Sequence, residues 1–377
     1  MATGTGSTAI TRRGVLLERP AGRGAENIDS RSALITGVSG QDGALLARLL
    51  IEKGYEVTGS VRSLVSSSLW RLEELGIRTH ARLRIIELDV ADAAGCLEAV
   101  GGARPGEVYN LSGVSFIGLS FSDPMGAARV TGLGAWNLLE AIRCRHPKAR
   151  FFQASSSEMF GSPEISPQDE ETRFNPRSPY ATSKAFAHWA TVNYRNDLGV
   201  FASSGILYNH ESPLRGNEFV TRKITSAAAR ISRGQQEFLE LGNLDARRDW
   251  GYAPEYVDGM WRILQSHTPD SFVLATGRLT TVRRFVDAAF KAAGMGLIWQ
   301  GAGLDETGIE NATGKTRVKV SPQFFRPAEA HPLCGNPEKS RLLLDWKAGK
   351  EVEEICRIMV TADLERLDHE RACHPET

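Results

Sequence analysis

From Ala33 onward, short apolar runs suited to buried strands alternate with stretches whose apolar residues recur at helical spacing. Ala33-Leu34-Ile35-Thr36 is the first run, and Ala44 to Lys53 follows with Leu45, Leu46, Leu49 and Leu50 on one face. Glu56 to Val61 then returns to a strand pattern. The alternation continues through Leu83 to Leu88, Glu107 to Leu111, a helix around Gly134 to Arg143, Arg150 to Ala154, a helix from Ser183 to Asn196, and Val200 to Leu207. Repeated strand-helix-strand units predict the α/β class, with a Rossmann-like doubly wound parallel sheet. After Tyr208 the texture turns polar and is punctuated by Pro and Gly, so Asn209 to Gly216 and Leu241 to Gly251 read as site-building loops. Glu351 to Leu367 carries Val352, Ile355, Ile358, Met359 and Leu364 at near-helical spacing and predicts a terminal helix. Residues 1–32 have no period and read as a mobile tail or edge segment. The expected organisation is a Rossmann domain over 33–207 with a returning segment near 248–276. A smaller mixed α/β domain is expected over 208–247 and 277–377.

Composition narrows the classes. The 377 residues allow two domains or one large one, and 45 Lys+Arg balance 45 Asp+Glu, which argues against a polybasic nucleic-acid binder. No run approaches the roughly 18 to 20 apolar residues that span a bilayer. After Arg12-Arg13 only Gly14 to Leu17 precede Glu18, too short for the apolar part of an export signal. Cys96, Cys144, Cys334, Cys356 and Cys373 are scattered and odd in number, a pattern that suits a reducing cytoplasm rather than a disulfide framework or zinc site.

The first chemical signal is Gly37-Val38-Ser39-Gly40-Gln41-Asp42-Gly43, placed between the first strand and the first helix. A dinucleotide pyrophosphate approaches backbone amides at a helix N-terminus, where a side chain would block it. An ordinary strand-to-helix turn is the plainer reading, but a helix leading to a second strand favours a cofactor. At the end of that second strand a carboxylate would take a ribose hydroxyl and an Arg a 2′-phosphate. Arg62 stands there, 19 residues after Gly43, with no Asp or Glu from Gly59 to Arg71, so NADP is favoured and NAD stays open. Asp89-Val90, ending the third strand, is placed to meet the adenine edge.

The second signal is Tyr180-Ala181-Thr182-Ser183-Lys184, which sets Tyr and Lys one helical turn apart. A Lys ammonium near a phenol is expected to lower its pKa and make Tyr180 a usable general base. Ala154-Ser155-Ser156-Ser157-Glu158 ends a strand at the carboxyl edge of the sheet, where a Ser suits a sugar hydroxyl and a carboxylate can move a proton next to a new ketone. Ser-x-x-Glu also fits a capping box for a short helix.

With these residues in place, the chain from Ala33 to about Leu367 resembles the extended short-chain dehydrogenase/reductase family and, within it, the GDP-mannose 4,6-dehydratases. The resemblance rests on Thr36 to Gly43, Ser178-Pro179-Tyr180, Asn209-His210-Glu211-Ser212-Pro213, Phe219 to Ile224, Leu241 to Gly251, Phe325-Arg326-Pro327 and Asp345-Trp346. It implies that Ser156, Glu158, Tyr180 and Lys184 are catalytic. Tyr180 would deprotonate the hydroxyl at sugar carbon 4 as hydride passes to NADP, Ser156 would bind the same oxygen, and Glu158 would take the carbon 5 proton and help expel the carbon 6 hydroxyl. Hydride return then gives a GDP-4-keto-6-deoxy sugar. Cofactor contacts implied include Leu111, Ser112, Gly113, His210 and Arg215. Substrate contacts implied are Ser115, Asn209, Glu211, Val220, Lys223, Arg247, Arg326 and Glu329, with Lys223, Arg247 and Arg326 suited to the diphosphate. No metal site is implied, and a homodimer or homotetramer is expected, joined through Gly134 to Arg143 and Ser183 to Asn196.

The chain also departs from the family pattern. Val114 and Phe116 replace a Gln and a His, removing side-chain hydrogen bonds and opening the choice of sugar. The double Arg of the cofactor loop becomes Arg62-Ser63, Leu214 replaces an Arg, Phe325 a Tyr, and Arg129 an Asp. A GDP-sugar epimerase or dehydratase of altered specificity therefore stays open, as does a non-catalytic nucleotide-binding protein.

Overall fold

The computed structural model describes residue 1, residues 31–325 and residues 332–373. Apart from Met1, Arg31 and Ser32, the expected tail lies outside these residues, as does Arg12-Arg13.

The strands in chain order begin with β1 (Ser32–Thr36), β2 (Glu56–Val61), β3 (Leu83–Glu87), β4 (Glu107–Asn110), β5 (Arg150–Ser156) and β6 (Ala202–Leu207). They continue with β7 (Asn209–Glu211), β8 (Leu239–Leu241), β9 (Arg247–Tyr252) and β10 (Ser271–Leu274), and end with β11 (Leu279–Thr281), β12 (Leu297–Gln300), β13 (Thr307–Glu310) and β14 (Thr316–Val320). Seven of them form a parallel sheet in the order β10-β6-β5-β4-β1-β2-β3. In β1, Ala33, Leu34 and Ile35 are all buried, because helices cover both faces and no polar alternation survives. On one face the helix Gln41–Glu52 buries Leu46 and Leu50 in the same core as Met260 and Ile263 of the helix Ala253–Gln265. On the other, Leu138 and Ile142 of the helix Gly134–Arg145 and Tyr194 of the helix Pro179–Asp197 share a core with Val108 and Phe151.

A separate core serves the second half of the chain. Ile231 from the helix Val220–Ser232, Phe285 and Phe290 from the helix Val282–Ala292, and Ile355 and Met359 from the helix Val352–Cys373 meet there. Two smaller sheets, β11-β9-β7 and β12-β13-β14-β8, flank it. The segments expected as loops thus carry the short strands β7 and β9. Their buried polar residues, His210, Glu211 and Asp249, are used internally: Asp249 accepts hydrogen bonds from the amides of Thr276, Gly277 and Gly335 and from the Thr276 hydroxyl.

Two helix boundaries differ from expectation in ways that matter for chemistry. The helix expected from Ser183 starts at Pro179, because Ser178 caps the Ala181 amide at 3.1 Å and proline suits the first helical position. Tyr180 therefore sits in the first turn. The helix expected from Gly134 is preceded by a π-helical stretch, Ala128–Leu133, whose Thr131 hydroxyl accepts from the Val114 amide at 3.2 Å and so holds the segment after β4. Among the described residues no helix is long and apolar enough to cross a membrane.

Candidate active site

Strand order reverses between β1 and β4, and a ligand crevice is expected outside the carboxyl ends at such a point. A cleft of about 450 Å³ opens there. One wall is the glycine turn after β1, and the opposite wall is Leu111, Ser112 and Gly113 after β4. Gly37 has φ +73°, and a Cβ on it would lie 3.1 Å from the Leu111 carbonyl carbon and oxygen. A Cβ on Gly43 would lie 2.3 Å from the Gly37 carbonyl oxygen. Both positions exclude any other residue without a backbone shift. Gly40 precedes the helix Gln41–Glu52 with no side-chain cap, leaving first-turn amides for an anion.

The far rim is formed by Arg62, Asp89 and Val90, and the near side by Ser115 and Arg215. All the cofactor residues read from the sequence line this cleft except Tyr180, Lys184 and His210. His210 lies behind it. Its Nδ1 is 2.6 Å from the Tyr208 carbonyl and its Nε2 2.9 Å from Asp42, while its ring stacks on Tyr256. Both ring nitrogens therefore face acceptors. Burial by itself raises the Asp42 carboxyl, but the His210 charge and hydrogen bond outweigh it, aided by Gln41 and Arg215, and hold it at about 2. Gln41 completes the junction by donating to the His210 carbonyl and accepting from Ser212. The Asn209 to Pro213 segment thus braces the glycine turn.

Arg71 escaped the sequence reading. It lines the cleft, donates to the Ser39 carbonyl at 3.1 Å and to the Leu214 carbonyl at 2.7 Å, and ties the glycine turn to the loop before Arg215. No motif marked it, because it sits in a five-residue helix, Trp70–Glu74, with no counterpart at fixed spacing. Phe219 also lines the cleft, with the Arg215 guanidinium 3.6 Å from its ring centre and Phe116 edge-on at 5.9 Å. Phe116 is thus engaged in an aromatic contact.

At the end of β5 and the start of the helix Pro179–Asp197 the four catalytic candidates come together. The Ser156 hydroxyl caps a single turn, Ser157–Met159, by accepting from the Glu158 amide at 3.2 Å. The capping box read from Ser155 and Glu158 is not what forms, since Ser155 turns instead to His188. Lys184 Nζ donates to the Ala154 carbonyl at 2.7 Å and lies 5.9 Å from the Tyr180 ring centre. The expected lowering of the phenol by Lys184 is not what the structure gives. Burial pushes Tyr180 up to about 12, against a hydrogen bond from Ser156, and burial brings Lys184 down to about 8. Glu158, Arg215 and Asp42 all act electrostatically on Tyr180, so the phenol shares the field of the cleft.

The substrate candidates are more dispersed. Val220 opens the helix Val220–Ser232, whose N-terminus follows Phe219 and carries no side-chain cap. Lys223 lies 4.1 Å from the Phe324 ring centre, and burial lowers its pKa. Arg247 is exposed at the head of β9, and Asn209 is half-buried at the head of β7. Glu211 does not reach the cleft: it is buried, accepts from the Thr221 hydroxyl at 2.6 Å and pairs with Arg215 at 3.2 Å. Its charge is consumed in holding Arg215. Arg326 and Glu329 lie outside the described residues.

Comparison with known proteins accords with this arrangement. The family model described as GDP-mannose 4,6 dehydratase matches residues 34–359. A GDP-mannose 4,6-dehydratase of Sinorhizobium fredii is 48% identical over 344 residues, covering 90% of this chain and 98% of the relative. Among solved structures, a dTDP-glucose 4,6-dehydratase from Bacillus anthracis in complex with NAD superposes with a TM-score of 0.74 at 16% identity, covering 90% of this chain and 98% of the other. RMD from Pseudomonas aeruginosa, complexed with NADPH, gives 0.69 at 19%, covering 89% and 100%. At such identities the structural likeness speaks for the fold alone.

Proposed function

The chain belongs to the GDP-mannose 4,6-dehydratase family, and on that premise we propose that it is a lyase that converts GDP-mannose to the GDP-4-keto-6-deoxy sugar with its own cleft residues. The observation that carries the reading is the meeting of Ser156, Glu158, Tyr180 and Lys184 beside a cleft whose glycine turn admits only backbone.

The site fits a nicotinamide dinucleotide. Gly37 and Gly43 permit the tight backbone packing of the turn, the uncapped helix start after Gly40 offers amides to a pyrophosphate, and Arg62, Arg71 and Arg215 supply cations along the cleft. With Arg62 at the rim and no carboxylate lining that end beyond Asp89, NADP is the form we infer. When bound, the nicotinamide would supply, in its oxidised and positively charged form, the hydride acceptor for carbon 4 and, once reduced, the hydride returned to carbon 6.

The protein's own groups then divide the work. Ser156 and Tyr180 hold the carbon 4 hydroxyl, with Tyr180 as the base that removes its proton. A phenol held near 12 by burial is a poor base until positive charge enters the site, which couples proton removal to a complete complex. Lys184, anchored on the Ala154 carbonyl, fixes the helix turn and offers its ammonium to the ribose. Glu158, beside that pair, is the group we assign to the carbon 5 proton. Lys223 and the uncapped N-terminus at Val220 suit the substrate diphosphate. A homodimer is supported by Trp136, Phe186 and Trp189, large apolar side chains left exposed on the helices Gly134–Arg145 and Pro179–Asp197.

Tyr180→Phe tests the assignment. It should lower kcat by about a thousandfold, within the range for loss of a general base, while NADP and GDP-mannose still bind. Retained turnover would remove Tyr180 from the mechanism. Loss of turnover with binding intact would also dispose of a purely nucleotide-binding role.

A further inference from the structure

Three consecutive residues of β5 each face a different residue of the helix Pro179–Asp197. The Ala154 carbonyl accepts from Lys184 at 2.7 Å, the Ser155 hydroxyl lies 3.0 Å from His188 Nδ1, and Ser156 lies close enough to Tyr180 to act on its phenol. Tyr180, Lys184 and His188 recur every four residues and all face inward. Two of these contacts belong to the chemistry already described. The third joins Ser155, 2% exposed, to His188, 4% exposed, and neither lines the cleft.

We propose that Ser155 and His188 form a positioning clamp that fixes the separation between the strand carrying Ser156 and Glu158 and the helix turn carrying Tyr180 and Lys184. The two residues sit one step along strand and helix from the reacting groups, so their bond sets the spacing without touching substrate. The ring has little freedom to swing away: Phe174 packs edge-on to it at 5.1 Å, and Trp189 at 5.6 Å. Burial, with Arg195 nearby, lowers His188 to about 4, so the ring stays neutral across the working range and the contact is a neutral hydrogen bond rather than a proton store. Inside the protein such a pair must stay matched, since removing one partner leaves the other unsatisfied. The Ala154 carbonyl also accepts from Gln153, whose side-chain oxygen accepts from Asn110, so the strand end is tied to the neighbouring strand as well as to the helix. A shift of a fraction of an ångström between strand and helix would spoil the Ser156–Tyr180 geometry, and misplacement on that scale is costly to rate.

The clamp rests on the roles assigned above to Tyr180 and Ser156, and the test separates the two. Steady-state kinetics on GDP-mannose, with NADP titration, would compare Ser155→Ala, His188→Asn, His188→Gln and Tyr180→Phe in the full chain. Asn places its amide where Nδ1 stands, whereas Gln places it nearer Nε2, so only Asn keeps the bond to Ser155. Ser155→Ala and His188→Gln should each lose about tenfold in kcat, with KM and NADP affinity within about twofold, and His188→Asn should recover to within about threefold of the parent. The double variant Ser155→Ala/His188→Gln should lose no more than either single one. Equal activity of the Asn and Gln variants, full kcat in Ser155→Ala, or a loss confined to KM would each overturn the clamp. If His188→Gln does not fold, Ser155→Ala, which deletes one oxygen atom, carries the decision. An active Tyr180→Phe would instead overturn the catalytic assignment itself.

Discussion

Around the glycine turn the wall of the cleft is main chain, with Gly37 pressed against Leu111 and Ser112 and Gly43 against the Gly37 carbonyl. Around the helix Val220–Ser232 the groups are side chains from separate segments: Arg215 over Phe219 lines the cleft, whereas Lys223 over Phe324 and Arg247 at the head of β9 stand outside its lining. Main chain offers one fixed shape and reads what every dinucleotide shares. Long side chains adapt, which suits the substrate role proposed for them. The first region is also braced by Gln41, His210 and Asp42, whereas Lys223 rests on the Phe324 ring with the Glu240 charge nearby. One end of the site therefore depends on backbone shape and the other on charge.

The two ends should accordingly break in different ways. Gly43→Ala would force a methyl group to within 2.3 Å of a carbonyl oxygen, so the turn must move. The expected result is at least a hundredfold loss of NADP affinity and a stability loss of about 1–3 kcal/mol, read by calorimetric titration and urea unfolding. Unchanged NADP binding would contradict a wall set by main chain. Lys223→Met keeps the length and removes the charge. It should raise KM for GDP-mannose by about tenfold, the scale of one charged hydrogen bond, and leave NADP affinity unchanged. Equal effects on both ligands would erase the distinction.

A smaller effect concerns the brace. Burial pulls the His210 ring down, yet the Asp42 charge and hydrogen bond more than offset it and leave the ring above its ordinary pKa. A group raised on folding stabilises fully below its unfolded value of about 6.5 and loses that contribution as pH rises through the folded value. Stability should therefore decline from about pH 6.5 upward, by no more than about 1.4 kcal/mol per pH unit, the worth of one proton. Asp42 works with the opposite sign, and its contribution disappears only as pH falls toward about 2. His210→Asn should flatten the alkaline decline in Tm measured from pH 6 to 9. A decline as steep as in the parent would assign it to other groups.

What could be read from the sequence follows the same division. The turn Gly37 to Gly43 and the pair Tyr180 and Lys184 are local in sequence, and the geometry they require leaves a spacing that can be recognised. Arg71 and His188 had no such mark, because their partners lie far along the chain: Leu214 is 143 residues from Arg71, and Ser155 is 33 from His188. The partners of Glu211 were hidden for a related reason, since a carboxylate in a motif does not reveal that Thr221 and Arg215 engage it. The lowering of Tyr180 by Lys184 failed because helical spacing says nothing of the Ala154 carbonyl that captures the ammonium. The alternation in the first half was legible because buried strands leave continuous apolar runs, whereas β7 and β9 are short and polar and are stabilised by tertiary bonds.

The central claim is that these residues carry out a dehydration with proton exchange at carbon 5. Its most direct measurement is mass spectrometry of GDP-mannose incubated with the purified protein in deuterated water, without added reductant, then returned to ordinary water. The expected product is lighter by one water and carries one retained deuteron on carbon 5, and Glu158→Gln should abolish both changes. GDP-mannose recovered intact from protein that still binds NADP, or a dehydrated product with no deuteron at carbon 5, would contradict it.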